Sequence, residues 1–401
     1  MARQAFLGRD AALATLARLA EAGKLGQPFL LVGPEGSGKE NTALEFARRL
    51  NCADPADCRP GHLCESCVKA LSFQHPDIRW IGPAPATIRE EEIQELFRRK
   101  IANPFHQDPA AATSYVSIGD PENPGPMTLR SVIHFLRKRA FQGRYKVAVV
   151  ADAHRMNDAA ANAFLKTLEE PPENTLIFLL ATGTSGLLPT ILSRCQKLRF
   201  EPWPEAELTT LLEEVGQATP EEAAAAARAA DGNARRGLAW LEPEARLMGA
   251  WAVQLCDWIH AGRRGLAAIS ADELHRGLVC HACLRGDQTP RTFEVKDAPL
   301  RRDRAIQLCE LLILLYSDMV GSREAGRGGA WRPRLAPAAD LTARLAAARR
   351  TDTLLGDMAA IEATRREIDH NLNIGLAMAV LFEGLIDHAE TDAATARAGA
   401  G

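Results

Sequence analysis

The spacing of apolar and polar residues changes character once along this chain, close to residue 200. Before that point, short unbroken apolar runs alternate with segments whose apolar residues recur every three or four positions. The runs Pro28-Phe29-Leu30-Leu31-Val32, Val147-Ala148-Val149-Val150 and Leu176 to Leu180 predict buried strands. Helices are expected over Asp10–Ala22 (Leu13, Leu16, Leu19), Asn41–Leu50, Arg89–Lys100 and Thr128–Arg139, and over the segment from Asn162 that stops at Pro171-Pro172. Alternation of this kind implies an α/β domain with a mainly parallel sheet. Residues 102–127, rich in Pro, Gly, Asp and Asn, read as an inserted loop with a short strand at Tyr115–Ile118. Pro202-Trp203-Pro204 punctuates the end of the domain. Beyond it the pattern is helical: first Glu205–Leu241 with its alanine-rich stretch Ala223–Ala230, then Pro243–His388, and finally an Ala/Gly-rich tail, residues 391–401, expected to fray.

A length of 401 residues suits two or three domains. The 48 basic and 51 acidic side chains nearly cancel, for a net charge of −3, so any contact with nucleic acid is expected to be local or shared. The greasiest stretch, Leu311 to Tyr316, falls far short of the roughly 20 residues of a membrane span. The N-terminus carries no secretory apolar region. These features predict a cytoplasmic, soluble protein, in which nine cysteines point to metal more than to disulfides.

Gly33-Pro34-Glu35-Gly36-Ser37-Gly38-Lys39-Glu40 matches the phosphate-binding pattern G-x-x-x-x-G-K and then departs from it. In that pattern glycines let backbone N–H groups curl around phosphate, the lysine neutralises the outer phosphates, and a Ser/Thr hydroxyl binds Mg²⁺. Glu40 stands at the hydroxyl position. The acidic pair that would close the strand ending at Val150 reads Ala151-Asp152-Ala153-His154, so an alanine occupies the place of the metal carboxylate. Two Mg²⁺ contacts are missing, and no ATP hydrolysis is expected. Two readings of Gly33, Gly36, Gly38 and Lys39 stay open: a tight strand–helix turn, or residual binding of ATP, ADP or phosphate.

Cys52, Cys58, Cys64 and Cys67 lie within 16 residues, interleaved with Pro55, Pro60 and Gly61. Four thiolates in a polar, turn-rich segment point to a structural, tetrahedral Zn²⁺ site, with His62 as the alternative to Cys58. Cys280 and Cys283 form a lone pair in helical sequence and read as ordinary thiols.

The segments Ala159–Pro172 (AAANAFLKTLEEPP) and Leu188–Cys195 (LPTILSRC) resemble those of the bacterial clamp-loader subunits of DNA polymerase III, and among these most closely the delta-prime type. Phe29–Pro34, the cysteine module with His75-Pro76-Asp77, Gly143–Val147, Gly232–Arg236 and Ile361–Asn373 extend the resemblance over nearly the whole chain. Glu40, the reduced acidic pair, and the absence of a long proline-rich or basic extension favour delta-prime over gamma/tau. Two features depart from the family. Its usual C-x₈-C-x₂-C-x₂-C spacing would place the second ligand at Gly61, and residues 102–127 exceed the usual connection.

The resemblance implies an AAA+ P-loop core with a parallel sheet over residues 1–202, a small helical lid over 203–245, and an all-α, oligomerising collar over 246–390. It implies partnership with gamma/tau and delta subunits in a pentameric loader that places the sliding clamp on primer-template DNA. It further implies that Arg194, in Ser193-Arg194-Cys195, reaches ATP on the adjacent subunit as an arginine finger, a role worth roughly 10³–10⁵ in rate where measured. Arg235 would be the sensor-2 arginine, or alternatively a solvated charge or a lid–core salt bridge. Thr182 would sit at sensor 1, or only cap a turn. Two alternatives remain: an ATP-hydrolysing gamma/tau-like subunit using Lys39, Glu40 and Asp152, and a zinc-bearing nucleic-acid adaptor, which would have no need of the Ser-Arg-Cys arginine.

Overall fold

The computed structural model describes residues 7–59, 61–85, 87–108, 111, 114–275, 298–325, 333–335, 338–369 and 373–398. The chain forms two compact units. One runs to Trp203 and also takes in Gly232–Arg235; the other holds Pro204–Asp231 and the chain from Arg236 onward.

The first unit is built on five parallel strands, β1 Phe29–Val32, β2 Ile78–Ile81, β3 Lys146–Val150, β4 Thr175–Ala181 and β5 Gln196–Arg199, in the order β2-β3-β4-β1-β5. Every residue of β3 and β4 is buried, as expected of central parallel strands covered on both faces. Leu30 pairs with Leu179 and Lys197, and Ala148 pairs with Ile177 and Arg79. Helices α1 Asp10–Glu21, α2 Lys39–Leu50, α3 Glu65–Leu71, α4 Glu90–Ala102, α5 Leu129–Leu136, α6 Asp158–Glu169 and α7 Pro189–Leu192 complete the unit. The expected α/β P-loop core with its parallel sheet is therefore present. The pattern had missed the two edge strands β2 and β5. The strand expected at Tyr115–Ile118 is only a single parallel bridge, Val116 to Met156, because its flanking residues find no ladder to join.

Asp77, fully buried just before β2, organises one end of this sheet. Its carboxylate accepts N–H groups from Phe141 (2.7 Å), Gln142 (2.7 Å) and Gly143 (2.6 Å), and pairs with the Lys146 ammonium at 2.8 Å. Burial alone would raise its pKa, but these donors outweigh burial and hold it at about 2. A depressed carboxylate stabilises the fold above its unfolded pKa, and that contribution is lost as pH falls through the folded value. Asp77→Asn should therefore lower the urea midpoint near neutral pH, with the gap to wild type closing as pH approaches about 2. A gap that does not change with pH would contradict this assignment.

The second unit is helical throughout its described residues: α8 Glu205–Gly216, α9 Pro220–Ala230, α10 Ala234–Leu241 (from Arg236 on), α11 Pro243–His260, α12 Arg264–His275, α13 Ala298–Ala325, α14 Ala339–Ala348, α15 Thr351–Asp369 and α16 Ile374–Ala398. The lid and collar expected at 203–245 and 246–390 lie together in it. α11 runs straight across that boundary, and Ala229 of α9 shares one core with Met248, Trp251, Leu312 and Phe382. The tail expected to fray from residue 391 is instead helical to Ala398, because Asp392 is buried in an ion pair with Arg349 at 2.8 Å.

One membrane expectation needs correcting. By length and composition alone, α13 from Arg301 to Ala325 could cross a membrane. Its Leu308, Leu312, Leu315, Tyr316 and Met319 are fully buried in the unit's own core, as in a central helix of a bundle.

Candidate functional site

Parallel strands bring their C-terminal ends to one edge, where open α/β sheets bind ligands. β1 delivers Gly33–Lys39 there, β3 delivers Ala151 and Asp152, and β4 delivers Thr182. The Gly33 N–H bonds Ala181 O at 3.2 Å, which ties the loop to β4. Gly36 (φ +67°) and Gly38 (φ +85°) are left-handed, and a Cβ on Gly36 would run into the side chain of Asn233. The tight turn is real.

Its charged groups are engaged by the protein itself. The Lys39 ammonium donates to the carbonyls of Gly33 (2.6 Å) and Pro34 (2.7 Å). Burial lowers its pKa to about 8 against the opposing pull of Asp152, Glu35 and Glu40. The Glu40 carboxylate takes the Lys100 ammonium at 2.7 Å. Lys100 is buried, also donates to His106 O at 3.1 Å, and lies 4.6 Å from the centre of the Trp80 ring. An internal cation thus neutralises the carboxylate that replaced the Mg²⁺ hydroxyl.

Ala151 is buried and offers no ligand, and Asp152 precedes a 3-10 turn in the left-handed conformation (φ +47°). These residues do not fit Mg²⁺–nucleotide coordination of the usual P-loop kind.

Arg235 meets this loop: it pairs with Glu35 at 3.3 Å and donates to Gln107. Gly36 O accepts both the Trp203 indole N–H (2.9 Å) and the Ala234 N–H (3.2 Å), and Arg9 stacks 4.2 Å over Trp203. Sequence reasoning missed Lys100, Gln107, Trp203 and Asn233, because each is brought in from far along the chain. Thr182 is exposed, with its hydroxyl 3.4 Å from His154 Nε2, whose pKa is lowered by burial.

Arg194 stands elsewhere. It precedes β5, whose register pairs Gln196 with Phe29 and Arg199 with Val32. The Gly33 loop leaves β1 at the opposite end, so a four-residue strand, about 13 Å at 3.3 Å per residue, separates the two levels. An arginine at the N-terminal edge of the sheet cannot reach its own P-loop. Its guanidinium pairs with Glu169 at the end of α6 and donates to Thr190 O at 2.8 Å, and its side chain is one-third exposed (32%). Cys195 is buried, and burial pushes its thiol up to about 11, so it packs as a neutral side chain.

The cysteine module closes as expected. The four Sγ atoms of Cys52, Cys58, Cys64 and Cys67 all lie within 4.8 Å of one another, and those of Cys52 and Cys64 are 3.7 Å apart. A tetrahedron with Zn–S bonds of about 2.3 Å has edges of about 3.8 Å, so the cluster fits the ion. Burial opposes ionisation of Cys64, yet backbone N–H groups and neighbouring thiols pull its pKa down. His62 lies outside this cluster and pairs with Asp57 at 3.1 Å, whereas the Cys58 sulfur lies inside it. Arg48 donates to Cys67 Sγ at 3.0 Å, a cation suited to a thiolate-rich centre. Cys280 and Cys283 lie outside the described residues.

The chain is similar in sequence to known proteins. The family described as DNA polymerase III, delta subunit, matches residues 8–118 and 125–204. The gamma/tau subunit of DNA polymerase III from Mycobacterium bovis is 31% identical over 211 residues, covering 51% of this chain and 30% of that protein. The delta-prime subunit from Pseudomonas aeruginosa is 31% identical over 200 residues, 49% of each chain. The tau subunit from Escherichia coli is 24% identical over 371 residues, covering 90% of this chain and 46% of that protein. This chain thus spans less than half the length of each of these relatives.

Proposed function

We propose that this chain, whose N-terminal core resembles the bacterial clamp-loader subunits of DNA polymerase III, is the non-hydrolysing, delta-prime-like member of that group. It lends Arg194 to the nucleotide of a neighbouring subunit. The observation that carries this reading is the placement of Arg194 at the sheet edge opposite its own glycine-rich loop, combined with the internal engagement of Lys39 and Glu40. A guanidinium suits that task because it stabilises charge spreading over a transferred phosphoryl group. Proposed partners are gamma/tau and delta subunits, and through them the sliding clamp and primer-template DNA; the proposed setting is the cytoplasm.

A gamma/tau-like ATPase is the second reading, supported by the similarity to proteins of that name. The purified chain separates the two. It should show no Mg·ATP hydrolysis above background, whereas turnover that Lys39→Ala abolishes would favour the second reading.

The cysteine centre is proposed to hold Zn²⁺ in a structural role, since four thiolates leave no position for a reacting water. Metal analysis should find about one equivalent in the wild type and loss of it in Cys64→Ser. A metal-free wild-type protein would end the assignment.

A further inference from the structure

The segment Arg137-Lys138-Arg139-Ala140-Phe141-Gln142-Gly143-Arg144, between α5 and β3, serves neither the glycine-rich loop nor Arg194. Phe141 is 86% exposed at its tip, the most exposed large apolar side chain among the described residues. Arg137, Lys138, Arg139 and Arg144 flank it in sequence, all exposed, and none forms an ion pair among the described residues.

The backbone beneath them is fixed. Asp77 accepts the N–H groups of residues 141, 142 and 143, and the Asn51 side chain accepts those of Arg144 and Tyr145, both at 2.9 Å. Asn51 also donates to Tyr145 O at 2.9 Å, and a Cβ at Gly143 would collide with Asn51. Five successive N–H groups are held, which fixes the backbone that presents Phe141. An exposed phenyl ring on a fixed backbone, flanked in sequence by four exposed cations, suits single-stranded nucleic acid: phosphates on the cations, a base on the ring.

We propose that this loop is a binding site for single-stranded DNA, with Phe141 stacking on an unpaired base and Arg137, Lys138, Arg139 and Arg144 contacting phosphates. The site stands apart from the arginine-finger reading, because it is read out as binding by this chain in isolation.

The test is fluorescence anisotropy of a labelled oligothymidylate across a salt series. Phe141→Ala should weaken binding about tenfold with the salt slope unchanged. The triple variant Arg137→Ala/Arg139→Ala/Arg144→Ala should weaken it further and reduce the slope by about 0.7 for each lost phosphate contact. All four side chains are exposed, so circular dichroism melts matching wild type will show that the variants fold. The proposal is overturned if the wild type does not bind at low salt, or if both variants bind as wild type does. It is also overturned if a duplex binds more tightly with no effect of Phe141→Ala. Equal affinity for labelled polyglutamate, again indifferent to Phe141→Ala, overturns it in favour of an acidic protein partner.

Discussion

On the proposed arginine-finger reading, replacing Arg194 with alanine should slow ATP turnover at the neighbouring subunit's site in an assembled loader by about 10³-fold or more, and should leave assembly unchanged. The size of the effect follows from what a guanidinium does beside a transferring phosphoryl group in a water-poor interface. The resting position of Arg194 is compatible with this role. Its pair with Glu169 joins two side chains that are 32% and 45% exposed, and a pair of that exposure is worth about 0–1 kcal/mol. Exchanging Glu169 for a polyphosphate therefore costs little, while charge-assisted hydrogen bonds to phosphate are among the strongest available. The turn that carries Arg194 is held independently, by buried Ile191 and Cys195 and by the Ser193 hydroxyl on Thr190 O at 3.1 Å. Removing the guanidinium should not disturb it. Size-exclusion profiles matching wild type, together with a fall in turnover, are the expected pair of results; unchanged turnover would remove Arg194 from the catalytic account.

Arg349→Met should destabilise the helical unit by about 3–5 kcal/mol, the usual cost of stranding buried charge. Arg349 bonds Asp357 at 2.6 Å and Asp392 at 2.8 Å, with the three side chains only 2%, 0% and 4% exposed. It ties the end of α14 to α15 and α16. Burial already raises the Asp357 carboxyl, and only His388 and Arg349 oppose that rise. Without the guanidinium, both carboxylates either stay charged in a poor environment or take up protons. A raised folded-state pKa means the variant binds protons on folding, so its deficit should be largest near neutral pH and shrink as pH falls. Thermal melts at two pH values test both statements. A loss below about 1 kcal/mol at neutral pH would show that water reaches the network and solvates it.

What the sequence made legible was set by how locally each feature is encoded. β3 and β4 were readable because central parallel strands are apolar on both faces, and the residues from Val147 and Leu176 onward say so without help. β5 was not. Gln196-Lys197-Leu198-Arg199 is a polar edge strand whose identity comes from pairing with β1, and β2 likewise shows only Ile78, Trp80 and Ile81 around an arginine. The four cysteines were legible as a set because they crowd into 16 residues of polar, turn-rich sequence. That the Cys58 sulfur joins the cluster while His62 turns to Asp57 needed coordinates to see.

The loss of the Mg²⁺ hydroxyl at Glu40 was plain from one position. Its compensation by Lys100, 60 residues away, was not. The same holds for Arg235, where sequence left a sensor or a salt bridge open and the structure places it on Glu35 and Gln107. The tail was misread because Ala and Gly suggest fraying, whereas a single buried aspartate, Asp392, holds the helix to the core.

The central claim is that this chain serves a neighbour's nucleotide and not its own. Its most direct test is the ATPase rate of a loader reconstituted with gamma/tau and delta subunits, measured with this chain as wild type, Lys39→Ala and Arg194→Ala. The account predicts that Lys39→Ala turns over as wild type does and that Arg194→Ala is slowed. The reverse pattern, with Lys39→Ala slowed and Arg194→Ala unaffected, would contradict it.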